Sequence, residues 1–168
     1  MNIIVCNDTR TESFPEDFDW KASDAIATSA RERESANIDS ELCKLLRRNG
    51  HKVTLFDGYD NDCVAKIMDP GKAASRLAET IIKSLANGMV FDLHYFGNFD
   101  YGINALQQLR NMKGIPVDMK LIVYSRFIKE QTGDYPRRLV EDCGIPLTQI
   151  IDRHQKNIHT VADFFGRA

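Results

Sequence analysis

Five short apolar runs recur along this chain, each followed by a stretch with helical periodicity. That alternation restricts the fold more than any other feature. The runs are NIIVC (2–6), HKVTLFD (51–57), GMVFDL (88–93), KLIVYS (120–125) and LTQIID (147–152). Near-continuous apolar runs of this length suit strands covered on both faces. Helical faces fall between them. Ile38, Leu42, Leu45 and Leu46 share one, closed by Asn49–Gly50. Ala74, Leu77, Ala78, Ile81 and Leu85 share a second, ahead of Asn87–Gly88, and Ile103, Leu106, Leu109 and Met112 a third, ahead of Gly114. A short fourth helix is expected over 135–144, with Pro136 in its first turn, and a fifth over 157–165. Strand and helix in strict alternation give an α/β three-layer sandwich around a five-stranded parallel sheet. Right-handed crossovers place helices on both faces.

Two stretches break the rhythm. Residues 9–35, TRTESFPEDFDWKASDAIATSARERES, separate the first strand from its helix. Most βα loops are about 2–6 residues, so this is an inserted segment. Helix is expected near 22–33, with Phe14, Phe18 and Trp20 packing on the body. Residues 58–71 form a long link from the second strand to the second helix. No internal repeat or linker divides the chain, and its 168 residues read as a single domain, 1–168, with the insertion at 9–35.

Composition narrows the function classes. A net charge of −2 gives nucleic-acid binding no support. No apolar run approaches the ~18 residues of a membrane span, and MNIIVCNDTR lacks a signal peptide's pattern. Cys6, Cys43, Cys63 and Cys143 include no C-x-x-C pair. Neither a zinc site nor a disulfide framework is expected. Cys6, Cys43 and Cys143 lie in apolar patterns, as reduced core thiols do, and a cytoplasmic location fits them.

In parallel sheets the chemistry gathers at the carboxyl ends of the strands. Strand one delivers Asn7 and Asp8 there, strand three Asp92 and strand four Ser125. Two carboxylates and an amide are oxygen donors of the kind Mg²⁺ prefers. A carboxylate is also a nucleophile in aspartyl-phosphate chemistry, and a nearby hydroxyl can hydrogen-bond a phosphoryl oxygen.

The segments IIVCND, MVFDLHYFGNFDYGINALQQLR and KLIVYS together resemble the receiver domain of two-component response regulators. The resemblance implies the flavodoxin/CheY-like strand order 2-1-3-4-5. It places Asn7 and Asp8 at the magnesium-binding acidic pair, Asp92 at the phosphoacceptor, also a magnesium ligand, and Ser125 at the hydroxyl that contacts the phosphoryl group. It implies Mg²⁺ as cofactor and a histidine kinase or phosphotransfer protein as partner. Receivers often pair through helix four, strand five and helix five, so a homodimer is also expected. Several positions depart from the family. Asn7 replaces a carboxylate, Arg126 follows Ser125 where a small residue is usual, and the loop after Asp92 lacks the usual proline. No Lys-Pro follows strand five. IIDRHQKN offers Arg153 or Lys156 as the cation, neither in the family's setting.

These departures keep three functions in view. The first is a signalling receiver phosphorylated on Asp92 with Mg²⁺. The second is a pseudo-receiver, a protein-interaction module without phosphotransfer. The third is an unrelated small α/β hydrolase or transferase using Asp8 and Asp92. Simpler readings stand beside them: Asp92 as a turn or cap residue, Ser125 as a strand-end hydroxyl, and His94, His154 and His159 as surface or hydrogen-bonded side chains. ARERES (30–35) reads as a solvated helix face, YPRRL as a helix opening and DPGK as a turn before a helix.

Overall fold

The computed structural model describes residues 1–6, 30–56, 58, 67, 69–93, 99–126 and 134–167. Strands β1 (Asn2–Cys6), β2 (Lys52–Phe56), β3 (Gly88–Phe91), β4 (Lys120–Ser125) and β5 (Ile150–Asp152) alternate with helices α1 (Ala30–Arg48), α2 (Pro70–Ser84), α3 (Phe99–Arg110), α4 (Tyr135–Glu141) and α5 (Ile158–Phe165). All strand pairings are parallel, in the order β2-β1-β3-β4-β5. This is the flavodoxin/CheY-like layout expected from the sequence.

Two cores result from the strands' period of two. Ile4, Cys6, Met89, Phe91, Leu121 and Val123 face a layer that includes Ala74, Leu77 and Ile81 of α2 and Ile103, Leu106 and Leu109 of α3. Ile3, Val5, Val90, Ile122 and Tyr124 face the other way, onto Ile38, Leu42 and Leu46 of α1 and Val161 and Phe165 of α5. Both faces of the sheet are therefore dry, which is why the strands lack polar alternation. Gly88 fits between these layers: a Cβ there would lie 3.0 Å from Phe165 Cε1 and 3.1 Å from Ile3 Cγ1.

Helix α2 begins as DPGK suggests. Asp69 caps it by accepting from the Lys72 amide at 2.8 Å, and Pro70 stands in the first turn, where its missing N–H costs nothing. Its far end differs from expectation. Leu85 does not join the buried face. It forms the C-cap in the left-handed region at φ 51° and its side chain is exposed. The turn is fastened instead by Ala86, whose amide donates to Ile81 O at 3.0 Å, and by Asn2, whose side chain donates to Ser84 O and Leu85 O.

Other boundaries shift modestly. Leu147–Gln149 is a 3₁₀ turn, so β5 is only three residues long. α1 starts at Ala30, inside the expected insertion, and continues unbroken into the Ile38 face. Asn7, Asp8, Phe14, Phe18, Trp20, Cys63 and His94 lie outside the described residues.

Candidate functional site

Strand β3 ends at Phe91, and Asp92 is the next residue, with its amide donating to Cys6 O at 3.2 Å. That bond continues the β1–β3 pairing by one step and fixes where the carboxylate sits. Ser125 closes β4 one strand over, in register with Asp152 of β5. The Arg153 amide then donates to Ser125 O at 2.9 Å, so Arg153 is held on the same rim. Asp92 and Ser125, predicted to meet, do meet: the serine hydroxyl donates to Asp92 Oδ1 at 2.6 Å. Arg153 Nη1 donates to Asp92 Oδ2, also at 2.6 Å. Its other terminal nitrogen, Nη2, pairs with Asp39 of α1.

The four side chains form one buried polar cluster. Asp39 is 2% exposed, Asp92 5%, Arg153 6% and Ser125 0%. At such depth solvent screens little, so the ion pairs differ in kind from exposed ones. Removing two carboxylates and a guanidinium from water is costly, and it is tolerated only when their hydrogen-bonding capacity is met. Arginine suits the place because its rigid planar fork presents donors to two acids at once.

The rim cation expected after strand five is therefore Arg153. Lys156 is exposed and lies in the turn ahead of α5, its amide donating to His154 Nδ1 at 3.2 Å. Asp39 was not anticipated, although the sequence carried a signal. In NIDSELCKLL it falls in helical register with Cys43 and Leu46, both fully buried. A carboxylate in that row requires a partner.

Further polar ties link α1 to the same edge. Arg126, just past Ser125, pairs with Glu34 at 3.1 Å, and Gln155 donates to Glu41 Oε2 at 3.1 Å. Glu34 stays exposed, as expected of ARERES, while making this pair. Tyr124, beside Ser125 but on the opposite face of the sheet, donates its hydroxyl to His154 O at 2.8 Å, and burial pushes its pKa up. Burial, followed by the negative charge of Asp39, raises the Cys43 thiol to about 12, so it stays protonated at neutral pH and is no nucleophile.

One Asp92 oxygen accepts from the Ser125 hydroxyl and the other from the Arg153 guanidinium, so a magnesium ion at this carboxylate would compete with a positive charge already paired to Oδ2. Among the described residues no group of three His, Cys, Asp or Glu side chains is placed to hold a metal. The magnesium ligands expected at Asn7 and Asp8 lie outside the described residues.

Three clefts elsewhere on the surface do not involve Asp92, Ser125 or Arg153. They lie between α1 and α5, between α2 and α3, and beside the α3–β4 connection. No helix among the described residues is long and apolar enough to cross a membrane. No family model, no curated protein and no solved structure matches this chain.

Proposed function

We propose that this chain is a receiver-like signalling module of the pseudo-receiver kind. Its Asp92 serves as a buried structural anion, and the module acts through protein–protein contact instead of phosphotransfer. One observation carries this reading: both Asp92 oxygens are already engaged, by Ser125 Oγ and Arg153 Nη1, in a carboxylate that is 5% exposed. A buried carboxylate whose charge is paired with a guanidinium is a weaker nucleophile toward phosphorus than an open one. The strand order and the convergence of Asp92, Ser125 and a cation on one rim support the receiver-like part of the reading. The buried cysteines Cys6, Cys43 and Cys143 support a reducing, cytoplasmic setting.

A second reading is favoured by the same cluster. Arg153 supplies a cation beside the acceptor position, as a phosphorylatable receiver requires. In that reading Asp92 takes a phosphoryl group from a phosphohistidine donor with Mg²⁺, as Arg153 releases Oδ2 and pairs with the incoming phosphoryl group. A histidine kinase or phosphotransfer protein would be the partner.

Incubation with a small phosphodonor and Mg²⁺, followed by intact mass, separates the two. The pseudo-receiver reading expects no phosphoryl mass on the wild type. Stoichiometric addition that disappears in Asp92→Asn would establish the second reading in its place.

A further inference from the structure

We infer that Asp39 controls access to Asp92, with α1 acting as a latch on the rim. The inference rests on the reading that Asp92 is held closed, and it names what regulates that closure. Arg153 meets Asp92 through Nη1 and Asp39 through Nη2, the two ends of one rigid plane. With both acids in place the guanidinium is fixed in position and in rotation. With Asp39 removed the guanidinium loses its tie at Nη2 and is held less firmly in rotation, and Asp92 Oδ2 is uncovered for part of the time.

The rest of α1 is arranged to transmit such a change. Glu34 pairs with Arg126 directly after Ser125, and Glu41 accepts from Gln155 just beyond Arg153. Three polar ties thus leave α1 over eight residues and end on the segments that follow β4 and β5. Two of the three, those of Glu34 and Glu41, are on exposed acids that a partner can reach. The third, Asp39, is buried and touches the group that holds Asp92. A small displacement of α1 is therefore converted into loss of an ion pair at the rim, because a buried pair is made or broken and does not stretch gradually. Asp39 is in this sense a positioning residue for Arg153.

Carbodiimide-driven labelling of carboxylates on the folded, full-length chain, read by mass spectrometry at Asp92, tests the latch. The wild type is expected to label slowly and Arg153→Met quickly. Asp39→Asn is expected to label Asp92 faster than the wild type by about tenfold, within the usual range of coupling between sites. Asp39→Glu, which keeps the charge, is expected to preserve more protection than the amide. If Asp39→Asn labels like the wild type while Arg153→Met labels quickly, the latch is overturned and the closed site stands. If the wild type labels as quickly as Arg153→Met, the closed-site reading itself fails. A variant-independent measurement uses the wild type in a urea series below global unfolding. There, Asp92 labelling and amide exchange in α1 should rise together, and labelling that rises while α1 stays protected overturns the latch.

Discussion

Replacing Arg153 by methionine is the most informative single perturbation of this molecule. Methionine keeps much of the stem's volume and removes only the charged fork, so packing loss is small. What remains is two carboxylates, Asp39 and Asp92, each at most 5% exposed, without the guanidinium that lies between them. Breaking a buried pair by removing one partner costs about 3–5 kcal/mol, against about 0–1 kcal/mol for an exposed one. The upper part of the first range is expected, because one cation serves two acids. With a urea m-value near 2 kcal/mol/M, the midpoint should fall by about 2 M. The loss is a large share of the ~5–15 kcal/mol typical of a domain, so the experiment needs a variant that restores balance. Adding Asp39→Asn and Asp92→Asn to Arg153→Met removes both charges and should recover most of the lost midpoint. An Arg153→Met midpoint within about 0.5 M of wild type, equivalent to an exposed pair, would refute the claim that this cluster is buried and coupled.

Three further outcomes follow from other parts of the structure. A Cβ on Gly102 would stand 2.0 Å from Leu93 O, next to Asp92, so Gly102→Ala should lower stability by about 1–3 kcal/mol through forced displacement of α3, and a loss under 0.5 kcal/mol would contradict the packing. His51 is buried and bonded through Nε2 to Gly166 O at 2.8 Å, so His51→Ala should increase amide exchange at the end of α5 while leaving β3 protected, as hydrogen exchange would show. Burial raises Cys43 from 9.0 to about 12 and Cys143 from 9.0 to about 11. The unfolded thiols ionise first as pH rises, so this contribution is intact below pH 9 and is lost progressively above it. Cys43→Ala should flatten the decline in stability over that alkaline window, measured by urea midpoints at successive pH values.

Much of this fold was legible because its signals are local and mutually consistent. The runs at Asn2–Cys6 and Lys120–Ser125 became strands with those same bounds, and Asn49–Gly50 ended α1 as read. The misreadings came where a tertiary contact outweighed a pattern. Leu85 has the spacing of a buried residue, yet the helix closes one step earlier through Ala86 and Asn2, which turns Leu85 outward. Asp92 and Ser125 could be placed together because both end strands, and a parallel sheet brings strand ends to one rim. Asp39 could not be placed that way. It is a helix residue whose partner is 114 positions away, and only its register with Cys43 and Leu46 marked it as buried. Arg153 was one of two candidate cations, and the choice over Lys156 depended on a β5 ladder ending one residue before it.

The central claim is that one guanidinium is locked between two buried acids. Nitrogen-15 NMR of the arginine side chains reads that state directly. The account predicts that the Arg153 Nη protons appear as separate, slowly exchanging resonances, and that Asp92→Asn and Asp39→Asn each shift them. A single averaged signal, exchanging as fast as that of the exposed Arg137, would contradict it.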